Sequence, residues 1–175
     1  MLIIRNNLTS KYNSRRRLIT ISQGDFVHHP HHGIGQVQSI RKRSFSGEEE
    51  TTFAQVYFKR DGLTLMMRMQ DLAQTVRNPI SASEAKQLLD HLEKWDGNVS
   101  SQWKVRANAN QLAMERGDPL DYANVYKGLS RLEAQGTLRA SDRAHMNQAL
   151  DFLVEEVANA LGKTPEQARS QIARA

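Results

Sequence analysis

Four histidines within five residues form the first group in this chain that could do chemistry. His28, His29, His31 and His32 could chelate a metal ion, because neutral imidazole is a common ligand of zinc, copper and iron. Pro30 interrupts the run, however, and neighbouring residues of a strand point to opposite faces, so the spacing does not aim the rings at one point. The chain has no HExxH-type helix and no cysteine to complete such a site. We expect a structural role and keep a metal-dependent hydrolase as the alternative.

A second group is the run Trp103-Lys104-Val105-Arg106. A tryptophan on an amphipathic helix is commonly a core residue. Here two cations, Lys104 and Arg106, flank it, and the next turn, residues 107–110, is small and polar. Proteins that bind the DNA minor groove insert an apolar wedge between base steps, while neighbouring cations hold the phosphates. From the residues alone, both a core tryptophan and a DNA wedge remain open.

The third group is the basic triplet Arg41-Lys42-Arg43 on a long predicted strand. A basic triplet on a strand is usually a solvated face. Phe45 lies two residues beyond Arg43, hence on the same face, and an aromatic side chain beside a cation can anchor a protein interface. The chain contains no P-loop, GxSxG or dinucleotide-binding fingerprint. We therefore do not expect an enzyme.

Composition indicates a folded chain. Its 175 residues are 39% hydrophobic and 25% charged, which suits one medium domain or two small ones. No apolar run approaches the ~18 residues of a membrane span. The absence of cysteine fits a reducing compartment, so we expect a cytoplasmic protein with no membrane partner.

The net charge of +5 is carried entirely by residues 1–17, which hold five basic side chains and no acid. Residues 18–75 and 76–175 are each neutral in sum. We interpret 1–17 as a flexible basic N-terminal arm. Such an arm either attracts polyanions without sequence preference or is a passenger.

The elements that must position these groups divide the chain in two. Apolar residues recur with period two from Leu18 to about Met69, and an Asp61-Gly62 step predicts a hairpin. The candidate strands are 18–21, 25–29, 34–45, 53–58 and 64–69. Five short strands with such turns predict a small Tudor/SH3-like β-barrel over residues 18–75.

After Pro79 the apolar period changes to 3.6, which is typical of helices. Potential capping residues divide residues 76–175 into five helices. The predicted caps are Ser83, Ser100 or Ser101, Asp118, Ser141 and Thr164. We therefore predict the α+β class with two domains, a small barrel followed by an all-α helical bundle.

Together these halves resemble the CarD/CdnL family of bacterial RNA polymerase-binding transcription regulators. Residues 24–37 follow the family pattern Gly-Asp-x-Val-x-x-Pro-x-His-Gly-x-Gly-x-Val. Trp103 and, farther on, the Gly117-Asp118 pair fall at the family's spacing in the helical half. The resemblance spans roughly residues 20–170. It implies a barrel that binds the polymerase β subunit and a helical domain that contacts promoter DNA in the minor groove at the upstream fork of the bubble.

The resemblance also implies roles for individual residues. In the family, an arginine at the Arg43 position contacts an acidic patch of the β subunit, and Phe45 shares that face. A second family arginine aligns with Met66, so Arg68 is the candidate replacement. The family's tryptophan wedge, which stabilises the open complex, corresponds to Trp103, with Lys104 and Arg106 as phosphate contacts. Family members commonly carry more cations here, where this chain has Val105, Ala107 and Asn108.

We expect a monomer that needs no cofactor. Three alternatives remain. The first is a polymerase-binding paralogue without wedge activity. The second is the metal-dependent hydrolase, using the cluster from His28 to His32. The third is a Tudor-like peptide reader, for which an aromatic cage is not evident among four tyrosines and five phenylalanines.

Overall fold

The computed structural model describes residues 19–44 and 50–175, which form a four-stranded sheet and six helices. The predicted α+β class, with a small sheet domain followed by a helical one, is confirmed. The elements are β1 (Phe26–His29), β2 (Gly33–Arg43), β3 (Thr51–Phe58), β4 (Leu63–Arg68), α1 (Met69–Thr75), α2 (Ala82–Glu93), α3 (Trp103–Arg116), α4 (Pro119–Ala134), α5 (Ala140–Leu161) and α6 (Pro165–Arg174). Among the described residues, no helix is long and apolar enough to cross a membrane.

The sheet is an antiparallel meander in which each strand pairs with the next along the chain. Gly62 closes the β3–β4 hairpin with a φ of +60°, a left-handed value that glycine adopts without steric cost. The inner face of the sheet and the short helix α1 enclose one apolar core. Its buried members are Ile21, Val27, Val37, Ala54, Val56, Phe58, Leu72 and Val76.

The predicted first strand, 18–21, is wrong over its described part. Residues 19–21 join no strand, and Leu18 lies outside the described residues. The alternating isoleucines nevertheless indicated burial, because Ile21 is buried and Ile19 packs against the same core. The helix α1 is a further difference, since it follows β4 directly and contributes Leu72 to the core.

Two helices begin at the predicted caps. The Asp118 side chain accepts a hydrogen bond from the Leu120 N–H at 2.8 Å, and Pro119 is the first residue of α4. The Thr164 hydroxyl accepts one from the Gln167 N–H at 3.2 Å, completing a capping box for α6. Local chemistry therefore sets both boundaries.

The remaining long helices begin within two residues of the predicted caps. The observed caps are Ser81, Gln102 and Arg139, in place of Ser83, Ser100 or Ser101, and Ser141. A second apolar core lies between α2, α3, α4, α5 and α6, and Tyr122, Val125 and Leu129 of α4 belong to it. The sheet and the bundle thus each have a core of their own.

The histidine run lies where the sheet meets the bundle. His28 is fully buried in β1, and its Nε2 is 2.9 Å from the Tyr122 hydroxyl of α4. His29 is buried beside Phe58 and His32, with ring centroids 5.9 and 4.9 Å away. Over residues 19–44 and 50–175, no three His, Asp or Glu side chains converge on a point that could hold a metal ion. This geometry favours the structural role over the hydrolase.

Burial of these imidazoles makes stability depend on pH. Desolvation lowers the pKa of His28 well below 6.5, and it lowers the pKa of His29 to about 4. The unfolded chain therefore binds more protons than the folded one as the pH falls from about 6.5 towards 4. The free energy of unfolding should decrease across this window by up to about 1.4 kcal/mol per pH unit for each histidine.

Urea unfolding measured at several pH values checks this expectation. His29→Gln should flatten the dependence above about pH 5, where ordinary carboxylates are still ionised. The matched control is His31→Gln, which should flatten the dependence less than His29→Gln, because burial rather than the neighbouring His31 is the main cause of the lowered His29 pKa. Equal slopes for His29→Gln and the parent would contradict the assignment.

Candidate functional site

The outer face of the sheet gathers the cations predicted to bind a protein partner. Strand register places Arg41 opposite Phe53 and Phe53 opposite Arg68, and it places Arg43 opposite Thr51. Residues opposite each other in register share a face. Three arginines therefore lie on one side of the sheet, around an aromatic side chain.

A β-bulge accounts for the outward direction of the β2 arginines. The register shifts between Val37 and Ser39, so one extra residue interrupts the alternation. Val37 is buried in the core, and without the shift every second residue after it would also face inward. Because of the shift, Arg41 and Arg43 instead share the outer face with Ser39.

Met66 and Arg68 complete this outer face from β4. Met66 is 51% exposed, and it lies opposite Gln55, one row from Arg68. Phe45, predicted to share the face, lies outside the described residues. The hollow that Met66 lines has a volume of about 10 Å³, against roughly 300–1,000 Å³ for ligand pockets. The face is therefore suited to a protein surface with carboxylates rather than to a small molecule. We call it the arginine face, defined by Arg41, Arg43, Phe53, Met66 and Arg68.

Trp103 lies in the first turn of α3 and is 41% exposed, so the alternative of a core tryptophan is wrong. The Nζ of Lys104 is 5.6 Å from its ring centroid, and the Arg139 guanidinium carbon is 5.2 Å from it. Both distances fit cation–π attraction. The ring thus lies at the surface beside two positive charges.

Sequence reasoning missed Arg139. It precedes α5, far along the chain from Trp103, and no local pattern links the two. Its role beside the ring follows only from the packing of α5 against α3. On α3 itself, Val105 and Asn108 are exposed and uncharged. Arg139 therefore supplies charge that α3 lacks.

The prediction that Arg106 contacts phosphate is corrected by the structure. Arg106 is only 5% exposed, and its Nε and Nη2 donate to the two carboxylate oxygens of Asp142 at 3.1 and 2.6 Å. Its Nη1 donates to the Ser100 carbonyl at 2.7 Å. The hydrogen bonds from Arg106 lower the pKa of Asp142. Arg106 therefore anchors the start of α3 to α5, and each of its guanidinium nitrogens donates within the protein.

Asp142 also connects this ion pair to Arg139. Its Oδ2 accepts the Arg139 backbone N–H at 3.4 Å, at the beginning of α5. The same carboxylate thus holds the helix that carries Trp103 and the residue whose side chain lies over the Trp103 ring. The exposed tryptophan therefore lies next to a buried ion pair that joins α3 to α5.

In a comparison with known proteins, each half of the chain matches a domain family. Residues 21–80 match the CarD-like/TRCF RID domain, and residues 87–173 match the CarD C-terminal domain. The chain is also similar to a Bacillus subtilis (strain 168) protein named "Putative transcription factor YdeB", with 24% identity over 84% of this chain and 96% of that protein. A polymerase-interacting sheet module followed by this helical domain defines a class of transcription regulators. The chain belongs to the CarD/CdnL family of RNA polymerase-binding regulators.

The buried ion pair predicts a contrast in stability between two neighbouring residues. Arg106→Ala leaves Asp142 buried without its partner and should cost about 3–5 kcal/mol of unfolding free energy. Trp103→Ala, the matched control in the same helix, should cost less, about 1–2 kcal/mol, because 41% of the side chain is already exposed. Urea unfolding at neutral pH, followed by circular dichroism, measures both. A cost below about 1 kcal/mol for Arg106→Ala would contradict the anchoring role.

Proposed function

We propose that this chain is a non-enzymatic regulator that docks on the polymerase β subunit through the arginine face. Its helical domain then holds Trp103 in the minor groove at the upstream fork of the promoter bubble and stabilises the open complex. It acts as a monomer without a cofactor. The observation that carries the proposal is the exposed Trp103 ring with Lys104 and Arg139 beside it.

The chemistry of this group suits a distorted duplex. Inserting an aromatic wedge unstacks a base step at a cost of a few kcal/mol, which is recovered where the duplex is already open. Lys104 and Arg139 carry charges beside the ring, so they can meet the phosphates that flank the wedged step. Arg106 takes no phosphate in this proposal, because Asp142 and Ser100 already bind its donors.

The arginine face suits an acidic partner. Arginine and aromatic side chains are enriched where protein interfaces gain most of their free energy, and carboxylates accept paired hydrogen bonds from guanidinium groups. Arg43 and Arg68 are the proposed charged contacts, with Met66 and Phe45 as apolar ones. The basic arm 1–17 adds attraction for DNA without sequence preference.

The rival within the same class is a polymerase-binding paralogue without wedge activity. It has the same arginine face and differs only in what Trp103 does. The metal-dependent hydrolase gains no support, because two of its four histidines are buried against the chain's own side chains.

Charge reversal on the arginine face tests the docking site. Arg43→Glu should weaken binding to the isolated β lobe at least about tenfold, roughly 1.4 kcal/mol. Lys59→Glu makes the same charge change at an exposed position in the β3–β4 turn and serves as the control. Calorimetry measures both affinities. If Arg43→Glu binds as Lys59→Glu does, the docking face is wrongly placed.

Truncation of the wedge separates the two rivals. Trp103→Ala should retain its affinity for the polymerase, since the sheet makes that contact, and should lose the added lifetime of promoter complexes. Dissociation of open complexes after heparin challenge measures the lifetime. A folded Trp103→Ala protein that stabilises open complexes as the parent does would rule out the wedge and favour the paralogue.

A further inference from the structure

Glu156 lies in the middle of α5 with no exposed surface, although it carries a carboxylate. Its Oε2 accepts the Ile80 N–H at 3.0 Å. Its Oε1 lies 2.5 Å from the Nη2 of Arg77 and 3.2 Å from the Nδ1 of His28. A buried carboxylate is tolerated only when such partners compensate for lost hydration. Because His28 belongs to β1 and Ile80 to the connection before α2, one carboxylate joins the sheet, the connection and the bundle.

Arg77 connects the same three parts through its backbone and its side chain. Its N–H and C=O both pair with His28, at 3.1 and 2.8 Å, so the connection extends the edge of β1. Its Nε donates to the Gly117 carbonyl at 2.8 Å, in the turn between α3 and α4. His28 continues the network, since its Nε2 contacts the Tyr122 hydroxyl. The start of the bundle is thereby fixed to the first strand.

The beginning of β2 makes a second contact with α5. The Ile34 N–H donates to Oε2 of Glu155 at 3.0 Å. A Cβ on Gly33 would lie 2.0 Å from that oxygen, so only glycine permits this approach. The Arg60 guanidinium lies 4.5 Å from the centroid of the Phe152 ring, on the same side of α5. The approach of the sheet to the bundle is therefore close and specified by individual atoms.

We propose that this set of contacts, the interdomain clamp, is a positioning element that couples docking on polymerase to the placement of Trp103. The clamp consists of His28, Gly33, Arg77, Tyr122, Glu155 and Glu156. None of these residues belongs to the arginine face or touches the Trp103 ring.

The physical reason is entropic. Once the arginine face is bound, a rigid chain presents Trp103 at one place, so the wedge binds without losing further interdomain freedom. A chain with a hinge at this junction would spread Trp103 over many positions, and its effective concentration at the fork would fall. The clamp therefore sets how long the open complex lives without contacting polymerase or DNA.

Two glycine substitutions test the clamp against a matched control. Gly33→Ala places a methyl group against Glu155 and also strains a backbone with φ +72°. Gly62→Ala imposes the same kind of strain at φ +60°, with no atom within 4 Å of the new methyl group. Only Gly33→Ala displaces the Glu155 carboxylate from the Ile34 N–H and so removes this contact between the sheet and α5.

Interdomain distance is measured on the full chain by pulsed spin-label spectroscopy. The chain has no cysteine, so Gln23→Cys and Asn147→Cys on the two domains provide unique labelling sites at exposed positions. The parent and Gly62→Ala should give one narrow distance distribution, whereas Gly33→Ala should broaden or shift it. Affinities of Gly33→Ala for the β lobe and for duplex DNA should stay within about twofold of the Gly62→Ala values, because neither binding surface is altered.

The functional readout is the lifetime of open complexes. Gly33→Ala should shorten it at least about fivefold relative to Gly62→Ala, or about 1 kcal/mol. An unchanged distance distribution would overturn the clamp, and a broadened one with an unchanged lifetime would overturn its positioning role. Glu155→Ala should act in the same direction on a helix surface where alanine is well tolerated, so misfolding of Gly33→Ala cannot decide the outcome.

This inference rests on the proposed function, but the two fail in different ways. If the parent itself does not extend open-complex lifetime, the proposed function is wrong and the positioning role falls with it. The distance distributions would still show whether the contacts of Glu155 and Glu156 hold the domains in one orientation.

Discussion

The burial of the Glu156 carboxylate is the constraint on which the rest of this structure depends. A charge with no exposed surface must be compensated, and here the Ile80 N–H donates to the carboxylate while the Arg77 guanidinium and the His28 ring lie 2.5 and 3.2 Å from its other oxygen. These groups belong to different parts of the chain. Satisfying one side chain therefore requires the sheet, the connection and the bundle to meet in one arrangement.

Polar contacts of this kind suit a junction between two separate cores. The sheet core and the bundle core form distinct apolar clusters, so each part has a hydrophobic interior of its own. Apolar packing is not directional, whereas hydrogen bonds and ion pairs tolerate only narrow geometry. The junction gains orientation from Glu155 and Glu156, and ring contacts of His28 with Tyr122 and Phe152, at 5.6 Å each, fill the space around them.

The sequence predicted those features of the fold that local chemistry determines. Asp118 and Thr164 cap helices because their side chains satisfy backbone N–H groups only two or three residues away. The strand alternation found the core of the sheet. It misassigned residues 19–21, because alternating burial indicates an apolar environment without requiring a ladder of hydrogen bonds. Arg106 is buried because α5 packs against α3 and brings Asp142 to it. The residues next to Arg106 in sequence do not distinguish it from a surface cation.

The candidate functional residues were predicted only in part, because some of their contacts depend on tertiary packing rather than on local sequence. Trp103 could be singled out from its neighbours, but Arg139 reaches it only through the packing of α5 on α3. The outward direction of Arg43 depends on the β-bulge between Val37 and Ser39, which the residue types at these positions do not predict. The Gly-rich histidine turn was recognised as a motif, yet its contact with Glu155 and Tyr122 requires the folded bundle. The contacts of the histidine turn could therefore not be predicted from the motif alone, because their partners lie far along the chain in the helical bundle.

The most direct test of this account is a cryo-electron microscopy reconstruction of the chain on an initiating polymerase with an open promoter. The account predicts that sheet and bundle keep the orientation set by Glu156, with the arginine face on the β subunit and the Trp103 ring at the upstream fork. A reconstruction in which the two domains have rotated apart at the Arg77 connection, or in which Trp103 faces solvent, would contradict it.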